Sequence, residues 1–105
     1  MRYSKHYYVY IMASDTGTLY IGVTSDLADR VWQHKKGVYQ GFSKKYKCHK
    51  LVYCEETQDI NAAIAREKQL KKWNRKKKEM LIKTLNPSWI DLSKKMFDYQ
   101  DKDFE

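Results

Sequence analysis

Between Tyr7 and Gly37 the chain reads YYVYIM, ASDTGT, LYIGVT and SDLADRVWQHKKG. Two β-type runs separated by six residues that include Asp15 and Gly17 predict an antiparallel hairpin. Side chains alternate across a strand, so Val9 and Ile11 share a face with Leu19, Ile21 and Val23. The opposite face carries Tyr8, Tyr10 and Met12 with Tyr20, Gly22 and Thr24. This grouping holds for any even register, so Tyr10 and Tyr20 share a face wherever the turn is centred. The aliphatic face is a core face. The other sets two phenols beside Gly22, a stretch of open backbone where another group can approach closely.

Thr24, Ser25 and Asp26 offer capping oxygens directly after the second run, and Gly37 suits the position just past a helix end. In the helix between them Leu27 and Val31 face the sheet, one turn apart. Arg30 and His34 are also one turn apart, so a guanidinium and an imidazole project from one stripe. Two tyrosines, an arginine and a histidine can thus converge at the end of a hairpin.

Downstream, residues 38–47 read as a loop around Gly41, and Lys50–Glu55 as a third strand that pairs with the hairpin. Asp59 or Thr57 caps a helix on which Ile60, Ala63, Ile64, Glu67 and Leu70 form one stripe. A carboxylate on that stripe is either an edge residue paired with Lys71 or a group held by a cation or metal. Asn74 then caps a helix that opens with Arg75-Lys76-Lys77-Lys78. Four cations at a helix start oppose its dipole, which assigns them to phosphate contact, with solubility as the alternative. Pro87 ends that helix, Asn86 reads as a turn residue, and the acidic 96–105 segment is expected to fray.

Tyr8-Val9-Tyr10, Tyr20-Ile21-Gly22, Arg30, His34 and Glu67 in its A-x-x-R-E-x-x-L-K setting resemble the GIY-YIG nuclease superfamily, in particular its small single-domain bacterial members. The resemblance runs from about Tyr7 to Leu92; the YIG triplet is intact, whereas Tyr8 stands where the first triplet has Gly. It implies an α+β fold, β-β-α-β-α-α, with helices flanking a three-stranded, mainly antiparallel sheet. It also implies metal-dependent endonuclease activity on DNA phosphodiesters, including branched, damaged or single-stranded forms. In that family's pattern Tyr10 is the general base or a relay to it, Tyr20 and Arg30 hold the scissile phosphate, and Glu67 binds one divalent ion. His34 is a second candidate to take the proton, directly or through Tyr10. A phenol with an ordinary pKa of ~10 needs a nearby cation to act at neutral pH. One carboxylate with waters and phosphate suits Mg²⁺ or Mn²⁺ rather than zinc. The family's asparagine matches either Asn74 or Asn86.

Charge supports a polyanionic partner. Residues 38–83 hold thirteen Lys/Arg against five acids, a net +8 equal to that of the whole chain. Such a surface binds nucleic acid with steep salt dependence. The contacts expected are Gly22, Lys35, Lys36, Lys44, Lys45, Lys71, Lys72, Arg75 and Lys76, with Tyr39, Phe42 and Tyr46 interleaved for bases. A nucleic-acid-binding module without turnover, or a domain docking an acidic protein, would use the same face. At 105 residues the chain suits one domain, 1–95 plus its tail. No apolar run spans a membrane and no leader pattern opens the chain, so a cytoplasmic location is expected. With no targeting domain, a recruiting protein partner is expected as well. Cys48 and Cys54, about 20 Å apart if extended, read as reduced packing residues.

Overall fold

The hairpin forms as its alternation requires. In the computed structural model, which describes residues 5–38, 41 and 45–100, β1 (Tyr7–Ala13) pairs antiparallel with β2 (Leu19–Thr24). Tyr10 lies opposite Gly22, Ile11 opposite Ile21 and Met12 opposite Tyr20. The register is even, so Tyr10 and Tyr20 do share a face. Ser14 closes the turn, accepting from Gly17 N at 3.1 Å and, through its hydroxyl, from Thr18 N at 2.9 Å. Gly17 takes φ 91°, a conformation in which a side chain would be strained.

Helix α1 (Leu27–Lys36) begins where Asp26 accepts from Asp29 N and ends at Gly37 with φ 70°. β3 (Lys50–Thr57), two residues longer than its composition predicts, pairs antiparallel with β1, giving the order β2-β1-β3. Helix α2 (Ile60–Lys72) is capped by Asp59, and α3 (Arg75–Leu85) by Asn74, whose side chain accepts from Lys77 N. A five-residue helix, α4 (Leu92–Met96), follows with Asp91 as its cap. The β-β-α-β-α-α order and the antiparallel sheet agree with expectation; α4 is additional. No helix among the described residues is long and apolar enough to cross a membrane.

The sheet is covered on both faces, which the alternation alone did not convey. On one side Ala63, Leu70 and Ile82 from α2 and α3 pack on Val9, Ile11, Ala13, Ile21, Val52 and Tyr53. The α2 stripe is narrower than predicted, because Ile60 and Ile64 stay exposed. On the other side Leu27 and Val31 pack with Tyr10, Met12, Cys48 and Leu51. The β1–β3 register shifts between Ile11 and Met12, which leaves Val52 as the extra residue of a bulge. A bulge turns two successive side chains to one face, and Val52 and Tyr53 accordingly enter the same core. The displaced Val52 carbonyl is not left unsatisfied. Asn86 Nδ2 donates to it at 3.1 Å and to Ile90 O at 2.8 Å, while its Oδ1 accepts from Ile90 N. Asn86, 3% exposed, is therefore a structural turn residue, and Asn74 a helix cap.

Residues 97–100, the described part of the acidic tail after α4, lie against the domain. Phe97 and Tyr99 pack on the second core, and Tyr99 Oη donates to Ala28 O at 2.6 Å. Two aromatic side chains with apolar surface to bury outweigh the acidic composition around them. Cys48 and Cys54 are not joined in a disulfide, and the first is buried. Cys48 precedes β3 rather than lying on it.

Candidate active site

Three rings meet above the hairpin on the α1 side. Tyr10 Oη and His34 Nε2 are 2.8 Å apart in a buried hydrogen bond. The Tyr20 ring centroid lies 5.0 Å from that of His34 and 6.2 Å from that of Tyr10. Each ring has a sequence-level reason to be there. The even register sets Tyr10 and Tyr20 on one face, and His34 follows Leu27 and Val31 on the buried stripe of α1. Tyr10 is fully buried, and His34 is 5% exposed.

Burial holds the His34 imidazole down to a pKa of about 4, and the neighbouring Arg30 guanidinium adds to the depression. The ring is therefore neutral at pH 7. In one tautomer Nε2 accepts the Tyr10 hydroxyl proton; in the other it donates to the phenol oxygen. Arg30, one turn before His34, is half-buried at the edge of this cluster. Tyr10, Tyr20, Arg30 and His34 are thus gathered, as their spacing predicts.

Gly22 has a different role from the one expected. A Cβ built on it would stand 2.6 Å from both Cζ and Oη of Tyr10. The close approach that the glycine permits is made by the chain's own phenol, and the residue is buried. It seats Tyr10 and offers no backbone to phosphate. Tyr10 can reach His34 only because residue 22 has no side chain.

Tyr20 also faces a groove of about 270 Å³ lined by Leu19, Tyr20, Ile21, Lys71 and Lys78. β2 is an edge strand, so a tyrosine on it borders both the ring cluster and the helices that pack on the other face. Glu67 sits at this second border. Its side chain is 18% exposed, and Oε1 lies 3.5 Å from Lys71 Nζ. This is the edge ion pair that the helical spacing allows. Among the described residues, no three His, Cys, Asp or Glu side chains gather to hold a metal ion. A lone, partly exposed carboxylate suits a hard cation that keeps most of its waters, such as Mg²⁺, and does not make a zinc site. A separate hollow of about 330 Å³, lined by Trp73, Lys77, Met80, Leu81 and Thr84, contains no acid or histidine and offers hydrolysis nothing.

The expected phosphate contacts divide. Lys36, Lys45, Lys71, Lys72 and Lys76 are exposed. Lys35 is not: its ammonium pairs with Asp91, and both side chains are 7% exposed. Position 35 follows the buried His34, so its stem lies along the core edge and its head finds the cap of α4. Arg75 is engaged too, donating to Glu79 at 2.7 Å and to Gly17 O, with its guanidinium 5.6 Å from the Trp89 ring. It fastens the hairpin turn to α3. Lys44, Tyr39 and Phe42 lie outside the described residues. Lys78 and Asp91 carry more of the arrangement than their sequence context suggests. Lys78 is one cation in a run of four on α3, on a different helix from Lys71, and Asp91 gains its role only through contacts with residues far away in the chain.

The sequence and the fold both have counterparts among known proteins. The chain matches the GIY-YIG catalytic domain over residues 6–80. It is 36% identical over 77 residues to a UPF0213 protein of Syntrophus aciditrophicus, covering 72% of this chain and 88% of that one. A UPF0213 protein of Staphylococcus aureus is 35% identical over 77 residues, covering 73% and 94%. The solution NMR structure of a UPF0213 protein of Bacillus halodurans superimposes with a TM-score of 0.55 at 26% identity, covering 85% of this chain and 95% of that one. The matched span begins before the first strand and ends within α3, taking in both tyrosines, Arg30, His34 and Glu67. By that match the chain belongs to the GIY-YIG catalytic domain family, a family of nucleases.

Proposed function

We propose that the protein is a metal-dependent endonuclease that hydrolyses DNA phosphodiester bonds. The observation that carries this reading is the buried Tyr10–His34 hydrogen bond placed against Tyr20, with a groove beside Tyr20 walled by lysines. In this reading Tyr20 and Arg30 hold the scissile phosphate. A water adds to phosphorus, the bond to the 3′ oxygen breaks, and the water's proton goes to the Tyr10–His34 pair. In this reading Tyr10 Oη takes the water's proton as its own proton passes to His34 Nε2. Burial is the larger cause of the low His34 pKa, and a phosphate beside Arg30 would offset only the smaller guanidinium contribution. Glu67 would hold one Mg²⁺ or Mn²⁺, which supplies charge stabilisation at the departing oxygen.

The test is a panel of plasmid, single-stranded, flapped and branched DNA with Mg²⁺, Mn²⁺ or chelator, alongside Glu67→Ala and Tyr20→Phe. Metal-dependent nicking that both variants lose supports the reading. Folded variants that cut as well as wild type would sink it. The second reading is a nucleic-acid-binding module, favoured by the pairing of Glu67 with Lys71 in an ordinary surface ion pair. It is identified by salt-sensitive binding that neither chelator nor Glu67→Ala changes.

A further inference from the structure

Of the four cations that open α3, three have places that account for them. Arg75 is bound to Glu79 and the hairpin turn, Lys77 lies 5.8 Å from the Trp73 ring, and Lys76 is exposed to solvent. Lys78 differs. It is half-buried in the wall of the groove beside Tyr20, and its ammonium forms no hydrogen bond or ion pair with the described residues. A lysine whose stem lies along a groove wall holds its ammonium at the groove, where an anion can join it. Lys71 reaches the same groove from α2, its side chain 55% exposed, with Glu67 3.5 Å away as its ion-pair partner among the described residues.

We propose that Lys78 is the positioning residue for the nucleic-acid backbone: together with Lys71 it seats a phosphate in the groove against Tyr20. The inference rests on the nuclease reading for its substrate, and adds which lysine of the basic run sets the register of the strand. A phosphate held between two helices and the β2 edge fixes the neighbouring phosphodiester relative to the ring cluster. Lys76, on the same turn of α3 but outside the groove, supplies only general attraction.

The experiment measures binding of a short fluorescein-labelled oligonucleotide, single-stranded and duplex, by anisotropy over a salt series with chelator present. Wild type, Lys78→Ala, Lys78→Arg and Lys76→Ala are compared after matching their thermal melting curves. Lys78→Ala is expected to weaken binding about tenfold and to lower the slope of log affinity against log salt by about one. Lys78→Arg recovers most of the affinity, and Lys76→Ala changes it by no more than about threefold. Equal effects of Lys78→Ala and Lys76→Ala overturn the proposal, as does wild type that binds neither oligonucleotide. A lysine that only guards the exposed edge of β2 would alter self-association and leave the salt slope unchanged, which also overturns it. Cleavage is not the readout. Should wild type bind but never cut, the nuclease reading fails while the contrast between the two lysines still decides this one.

Discussion

Replacing Lys35 by Met separates two roles a basic residue on α1 can have. In the structure its ammonium pairs with Asp91, both side chains being 7% exposed. Asp91 also accepts from Leu51 N at 3.1 Å, Ser93 N at 3.1 Å and Ser93 Oγ at 2.7 Å. One carboxylate thereby joins α1, β3 and α4. Burial pushes its pKa up, but the bonds from Lys35 and Ser93 outweigh this and hold the carboxyl below its usual range. Methionine keeps the apolar stem of Lys35 and removes the counter-charge, leaving a buried carboxylate with neutral donors only. Breaking a buried pair in this way costs about 3–5 kcal/mol; the three remaining donors put the expected loss near 3 kcal/mol. For a chain of this size that is a fall in Tm of more than about 10 °C. Urea unfolding of wild type, Lys35→Met and the exposed neighbour Lys36→Met measures it, with Lys36→Met staying within about 0.5 kcal/mol. A second readout follows from linkage. The depressed Asp91 carboxyl contributes stability above its unfolded pKa of 3.8 and loses it as pH falls further. Without Lys35 the folded carboxyl is less depressed, so the acid-induced loss is smaller than in wild type. A Lys35→Met cost under about 1 kcal/mol, the size of an exposed pair, would refute the buried latch.

Two further outcomes are expected. Gly22→Ala places a Cβ 2.6 Å from the Tyr10 ring, so the ring must move and its bond to His34 break; urea unfolding should register a loss of about 2–4 kcal/mol, and any gain in stability would contradict the seat. His34 is held at a pKa of about 4 against 6.5 unfolded, so the folded state binds fewer protons between those values. Its contribution is complete above about pH 6.5 and is lost as pH falls toward 4, on the order of 3 kcal/mol; wild-type and His34→Gln stability curves that run parallel across that window would refute it.

The hairpin and its site tyrosines were legible because strand alternation and an even register are local facts. So were the ends of α1 and α3, where Asp26, Gly37 and Asn74 provide caps with one chemical purpose each. Alternation could not say that the tyrosine face would also be covered. That outcome depends on Leu92, Phe97 and Tyr99 folding back from the far end of the chain. The same return buries Lys35, whose sequence neighbours, Lys36 included, suggest a solvated run. The bulge at Val52 was invisible for a related reason. Its signature is a register count between two strands, and the residue that satisfies it, Asn86, lies 34 positions away.

Tyr20 links what each face of the sheet contributes. Tyr10 and His34 are reached through the α1 face, whereas Glu67 and Lys71 belong to a helix packed on the other. No residue of the central strand β1 could border both, since its two sides are occupied by neighbouring strands. A residue on the edge strand can, because among the described residues no strand pairs beyond it. Tyr20 therefore borders the buried Tyr10–His34 pair on one side and lysine-bearing helices on the other, which is the placement the proposed phosphate site needs. Moving that tyrosine to residue 19 or 21 would turn it to the opposite face of the sheet and break the junction.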